Sequence, residues 1–304
     1  YEKAEQQLIF LMASSKLRVA LLQMRCGAEK GANIARAGAM IASAMSAEVA
    51  PQLVVLPEVW NSPYATTAFP THAEPIPEVG TVVGDISAET SPSLALVVNS
   101  AREHSVYLIG GSVPEIGSDG NVYNTCVVAD PSGTIVAKHR KMHLFDIDIP
   151  GKQTFKESDT LTGGSTITTF AMPQCVVGVG ICYDMRFPEQ AHLMRQAGAK
   201  LLVYPGAFNT TTGPMHWELL QRARAVDNQL WVAAASPARN PESDYQAWGH
   251  STIVSPLGEV VATCDENEAT VTYELDIAAA DEFRANVPTW SQKRDDVYTL
   301  VATK

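Results

Sequence analysis

The sequence predicts an α/β protein in which a pair of mixed β-sheets is sandwiched by helices. Three observations lead there. Short runs such as "LRVALLQM", "LVVLPE" and "KLLVYPG" are apolar at successive positions, as strands covered on both faces require. Stretches whose apolar residues recur at helical spacing alternate with those runs. Turn signals such as "DPSG" break the alternation with hairpins, which a purely parallel sheet does not contain.

Taken in order, Leu17 to Met24 reads as a buried strand, followed by an alanine-rich helix with Ile34, Met40, Ile41 and Met45 on one side. "LVVLPE" is a second strand, stopped by Pro57, which has no N–H to give a ladder. "SLALVVNSAREHS" is a second helix, and "VYLIGGSVPE" reads as a third strand. "VYNTCVVADPSGTIVAKHRK" is a hairpin around its Pro-Gly turn. "CVVGVGIC" is a strand, "PEQAHLMRQAG" a helix capped by Gly198, "KLLVYPG" a strand, "HWELLQRARAVDNQ" a helix and "LWVAAAS" a strand. "GHSTIVSPLGEVVATC" and "ATVTYELD" are expected to form a closing strand group. No Pro-, Gly- or Ser-rich linker divides the chain, so residues 13–304 read as one domain and residues 1–12 as a tag or disordered leader.

Composition narrows the function. With 22 Lys and Arg against 33 Asp and Glu, the formal net charge is −11. Such a chain is a poor nucleic-acid ligand, because phosphate neutralisation supplies most of that affinity. Its five cysteines contain no C-x-x-C pair, which argues against zinc and for a reduced, cytoplasmic setting, with a mitochondrial destination as the alternative. The run "LIFLM" is too short to span a bilayer, and no membrane association is expected. "GVGICY" lacks the final glycine of a dinucleotide loop, "GGSTITT" lacks the P-loop lysine, and no H-E-x-x-H exists. Neither a metal nor a cofactor is expected.

Four polar residues stand at or near the ends of apolar runs: Glu58, Lys141, Glu157 and Cys182. Each alone has an ordinary reading. A cysteine after a strand is more often an inert small hydrophobe, and a lysine in "KHRK" belongs to a solvated face. Together they form a reaction set. A carboxylate can take the thiol proton, and an adjacent ammonium lowers the thiol pKa. A lysine and a backbone N–H can then stabilise the oxyanion formed when sulfur attacks an amide. Amide hydrolysis thus needs neither histidine nor metal.

"VVLPE", "HRKMHLFD" and "GICYDMRFPE", in that order, resemble the nitrilase (carbon–nitrogen hydrolase) superfamily along nearly the whole chain from Leu17. The resemblance implies a four-layer α-β-β-α sandwich, dimerised through helices, with Glu58, Lys141 and Cys182 catalytic. It further implies that Glu157 supports the lysine and that the Tyr183 N–H faces the oxyanion. Within the superfamily, "NSPY", "HLFDIDIPGK" and "YPGAFNTTTGP" look like the omega-amidase branch. That branch hydrolyses the terminal amide of short dicarboxylic monoamides such as 2-oxoglutaramate and 2-oxosuccinamate. Tyr183, standing where nitrilases proper carry Trp, argues for an amide over a nitrile. The alternatives are a deaminated-glutathione amidase, which shares "CYD-x-RFPE", and an idle dimeric scaffold. A substrate carboxylate is expected on Arg186, whose competing reading is an ion pair with Glu189 or Asp184. Tyr64, Phe145, Phe208 and Trp217 are expected to wall the pocket, competing with plain core packing. Met215, where a smaller residue is expected, is read as narrowing it. His143 and His216 flank the motifs without being needed by the chemistry.

Overall fold

Successive residues of the first apolar run point to opposite sides of a sheet that has no wet face. The structure is a computed structural model that describes residues 15–149 and 153–303. In β1 (Lys16–Gln23), Leu17, Val19 and Leu21 face one core, while Ala20 and Leu22 face another. This period of two is that of a strand buried on both sides. The leader read over residues 1–12 lies outside the described residues.

The first sheet takes β1, β2 (Leu53–Val55), β3 (Tyr107–Ile109), β4 (Val113–Ile116), β5 (Val122–Ala129) and β6 (Ile135–Arg140). β1, β2 and β3 are parallel, and β4, β5 and β6 pair as antiparallel hairpins. A two-stranded ribbon follows, β7 (Asp146–Ile149) with β8 (Gln153–Lys156). The second sheet runs from β9 (Thr168–Ala171) through β10 (Val176–Val179), β11 (Ala199–Pro205), β12 (Trp231–Ala235) and β13 (Thr252–Val254) to β14 (Val260–Thr263). Its central strands β10, β11 and β12 are parallel. The last strand, β15 (Ala269–Asp276), returns to the first sheet and pairs antiparallel with β1 along its whole length.

Helices cover both outer faces. Ala37 and Ile41 of α1 (Lys30–Met45), with Leu94, Val97, Val98 and Ala101 of α2 (Pro92–His104), close the outer side of the first sheet. On the second sheet, Ala191 and Met194 of α3 (Pro188–Gln196) and Trp217 and Ala225 of α4 (Thr212–Asn228) do the same. The inner faces of the two sheets meet through one shared core. This is the four-layer α-β-β-α sandwich.

Three expectations change. "VYLIGGSVPE" is not one strand but two, because Gly111 turns into the left-handed region at φ 62, against the backbone of Pro57. A Cβ at Gly111 would stand 2.1 Å from the Pro57 carbonyl oxygen, so only glycine fits. "CVVGVGIC" stops being a strand at Val179, and Cys182 opens a tight 3₁₀ turn. "ATVTYELD" does not join the closing group but crosses to β1. Gly198 ends α3 as expected, with φ 95 and its N–H on the Arg195 carbonyl.

Candidate active site

Parallel strands of both sheets end at one crevice, where loop backbone is free to present polar groups. Glu58 follows β2, Cys182 follows β10 and Ala207 follows β11, while Lys141 is the first residue after β6. Glu157 follows β8 in a 3₁₀ turn. Cys182 sits at φ 48, a conformation that costs a residue with a Cβ on the order of 1–3 kcal/mol and marks a strained turn. Gly206 makes room for it: a Cβ there would lie 3.2 Å from the Cys182 Cα.

The Lys141 ammonium, with 0% exposure, stands 2.9 Å from Glu58 Oε1 and 2.9 Å from the Glu157 carboxylate. Glu58 Oε1 also accepts from Asn124 Nδ2 at 2.9 Å, and its Oε2 accepts from the Ala207 N–H at 2.8 Å. Glu157 Oε1 accepts from the Tyr64 hydroxyl at 2.9 Å and its Oε2 from the Phe145 N–H at 2.8 Å. The Cys182 thiol lies in the same cluster, near enough to Glu58, Lys141 and Glu157 for the charge of each to act on it. The structure thus brings all four expected residues together, with Tyr64 beside them.

Electrostatics follow from burial. Burial alone pushes Lys141 down, but Glu157 and Glu58 outweigh it and hold the ammonium well above its ordinary value. Burial, with Glu58 beside it, raises Glu157 despite Lys141. For Cys182, burial comes first and the Glu58 carboxylate second, so the thiol lies well above 9.0 even with the lysine near. The lysine pulls the thiol down as expected, but burial and Glu58 outweigh it, so the proton passes to a base as sulfur attacks.

Tyr64, Phe145, Cys182, Tyr183, Arg186 and Phe208 line a small cell of about 10 Å³. Across Tyr64, Ala207 and Tyr245 lies a second cavity of about 400 Å³, which reaches Glu58. Tyr64 and Tyr245 stack between the two with ring centroids 4.3 Å apart. The Tyr245 hydroxyl donates to the Ala207 carbonyl. Arg186 lines the cell, its guanidinium 4.7 Å from the Phe208 ring centre and one arm 3.0 Å from His216 Nδ1. Among the described residues its buried Nε has no partner, and it makes no ion pair with Glu189 or Asp184. Trp217 stands behind the wall, edge-on to Phe208 at 5.1 Å with its N–H on the His250 carbonyl. Met215 does not join the site. It is 58% exposed on the outer side of α4 and lines neither cavity, so it cannot narrow the pocket.

Sequence reasoning missed Asn124, Tyr245 and Asp184. Asn124 sits mid-strand in β5 and Tyr245 in an irregular loop, and nothing local distinguishes either. Asp184 lies inside the cysteine motif, where its burial was the only missing sign.

A lysine wedged between two buried carboxylates and a thiol on a strained strand-end turn matches a known family. The carbon–nitrogen hydrolase family model matches residues 18–285. The chain belongs to that family. It is 50% identical over 95% of its length to omega-amidase NIT2 of Mus musculus, covering 99% of that protein, and equally so to omega-amidase NIT2 of Homo sapiens. Among solved structures, Nit3 of Saccharomyces cerevisiae, described as a member of branch 10 of the nitrilase superfamily, superposes with a TM-score of 0.80. It is 42% identical, over 90% of this chain and 94% of that one. This carbon–nitrogen hydrolase is an amide-hydrolysing enzyme of the omega-amidase branch.

Proposed function

We propose that this enzyme hydrolyses the terminal amide of short dicarboxylic monoamides, of which 2-oxoglutaramate and 2-oxosuccinamate are the test cases, through a thioester on Cys182. The observation that carries the reading is the Lys141 ammonium held 2.9 Å from both Glu58 and Glu157 beside the Cys182 thiol. The omega-amidase relatives support the substrate class.

Sulfur attacks the amide carbon as its proton passes to Glu58. Negative charge forms on oxygen, where the Lys141 ammonium and the Tyr183 N–H stabilise it, each such donor contributing on the order of a hundredfold to a thousandfold. Glu58 returns the proton to nitrogen, the C–N bond breaks and ammonia leaves a thioester. Water then attacks the thioester carbon, giving its proton to Glu58. The C–S bond breaks, sulfur regains the proton, and the acid departs. Glu157, anchored by Tyr64 and the Phe145 N–H, keeps the ammonium aimed throughout.

The distal carboxylate of the substrate is assigned to Arg186, whose buried Nε has no partner among the described residues. Phe145 and Phe208 hold the chain between the two ends, and a cell of about 10 Å³ must widen to admit it.

A homodimer is part of the same reading. Met215, Leu219 and Val226 form an exposed apolar row on α4, suited to packing on its copy. The five cysteines are free, which supports a reducing compartment such as the cytoplasm, and among the described residues no helix is long and apolar enough to cross a membrane.

The test is ammonia release by the purified protein from 2-oxoglutaramate against deaminated glutathione at equal concentration. Preference for the first is expected; preference for the second refutes the assigned substrate.

A further inference from the structure

Behind the nucleophile lies a carboxylate that no step of the proposed reaction uses. Asp184 is fully buried two residues after Cys182. Its Oδ2 accepts from the Ile181 N–H at 2.9 Å and from His139 Nε2 at 3.0 Å. Its Oδ1 accepts from the His143 N–H at 2.9 Å and from His143 Nδ1 at 2.8 Å. One oxygen therefore holds the residue before the cysteine, and the other holds a residue two places beyond the lysine.

The histidines are fixed by what they face. An ionised carboxylate only accepts, so His139 donates from Nε2 and His143 from Nδ1. His139 Nδ1 stands 2.9 Å from the Thr168 hydroxyl, a hydrogen bond that ties the assembly to β9. The His143 ring stacks on Phe187 at 3.6 Å, closing the far side. The four donors hold Asp184 well below the usual carboxylate range against a burial that would raise it.

We propose that Asp184 is a positioning residue that sets the distance between the Cys182 sulfur and the Lys141 ammonium, using His139 and His143 as its two grips. The strand-end turn at Cys182 is strained at φ 48 and comes from the second sheet, whereas Lys141 leaves the first. Asp184 fastens the backbone on either side, holding Ile181 with one oxygen and His143 with the other. Its role rests on the proposed amide hydrolysis, but its geometry does not.

The experiment compares the wild type with Asp184→Asn, His143→Asn and His143→Leu. Whichever way an asparagine amide turns at 184, its NH₂ meets two donors, so one grip opens. An asparagine at 143 offers an N–H where Nδ1 was, and leucine offers none. Two readouts are taken on folded protein: kcat and KM for 2-oxoglutaramate, and the rate of Cys182 alkylation by iodoacetamide, followed by mass. Misplacing the reacting groups lowers kcat of Asp184→Asn by roughly tenfold to a hundredfold. KM stays near the wild-type value, alkylation slows too, and His143→Asn retains more of both rates than His143→Leu. Folded Asp184→Asn alkylated at the wild-type rate overturns the proposal, as do indistinguishable His143 variants. If Asp184→Asn does not fold, the His143 pair decides. If the wild type releases no ammonia, the proposed reaction fails while alkylation still tests the clamp.

Discussion

The Lys141 ammonium and the Glu58 carboxylate stand 2.9 Å apart with neither side chain exposed. Glu157 closes on the same ammonium at 2.9 Å, so two buried carboxylates share one cation. Removing a partner from such a group leaves uncompensated charge, which costs about 3–5 kcal/mol.

Lys141→Met should therefore destabilise the fold by that order, and in a pH-dependent way. Burial already raises Glu157, and without the lysine that pulls it down Glu157 rises further in the folded state. A carboxyl group raised on folding contributes stability below its unfolded value, about 4.3, and loses it as pH rises through the folded value. The deficit against wild type should be small at about pH 4.5 and largest well above neutrality, measured by urea unfolding. An equal deficit at both ends contradicts the cluster.

Cys182→Ala should abolish ammonia release, lowering the rate by at least about a thousandfold, since nucleophile and base act as a unit. Glu58→Gln should fall by about a hundredfold to ten-thousandfold. Its amide NH₂ would face either the Ala207 N–H or the donors of Lys141 and Asn124, so a loss of about 1–3 kcal/mol in stability is also expected. Single-turnover assays and denaturant melts on both variants check this.

Alkylation of Cys182 separates a preformed thiolate from a base-assisted thiol. Burial and Glu58 keep the sulfur protonated, so its proton passes to Glu58 and the wild-type rate should be nearly flat between about pH 6 and 8. In Glu58→Gln only hydroxide can remove the proton, and the rate should rise about tenfold per pH unit. A wild-type slope as steep as that of the variant contradicts the assignment of Glu58 as base.

Arg186→Gln should raise KM for 2-oxoglutaramate by about tenfold to a hundredfold, the loss expected for a charge-assisted hydrogen bond. Hydrolysis of a neutral amide of the same length should change far less. Equal losses on both substrates place the guanidinium in a structural role.

What the sequence made legible was whatever one segment carries by itself. Glu58, Lys141 and Cys182 each close an apolar run, and strand ends are where an α/β sandwich exposes chemistry. β11 and β12 of the second sheet were readable as apolar runs in the same way, whereas β9, whose run "TTFA" is half polar, was not read. Asn124 was not, because its reach to Glu58 depends on which strand lies beside β5. The split at Gly111 was hidden because its cause is a backbone atom of Pro57, far away in sequence. Met215 was misjudged through a signal the sequence did hold. Gly213, Trp217, Gln221, Arg224 and Asn228 make the buried stripe of α4, and a residue two places from Trp217 points away from it.

The zipper between Lys16–Gln23 and Ala269–Asp276 has a consequence for biosynthesis. Lys16 pairs with Asp276, so this edge of the first sheet stays open on the ribosome until about 260 further residues have been made. Loop-closure entropy makes so distant a pairing slow, and an unpaired strand edge invites a neighbouring nascent chain. Ending synthesis before Ala269 should thus yield insoluble protein with the catalytic set complete in sequence and the molecule unable to seal itself.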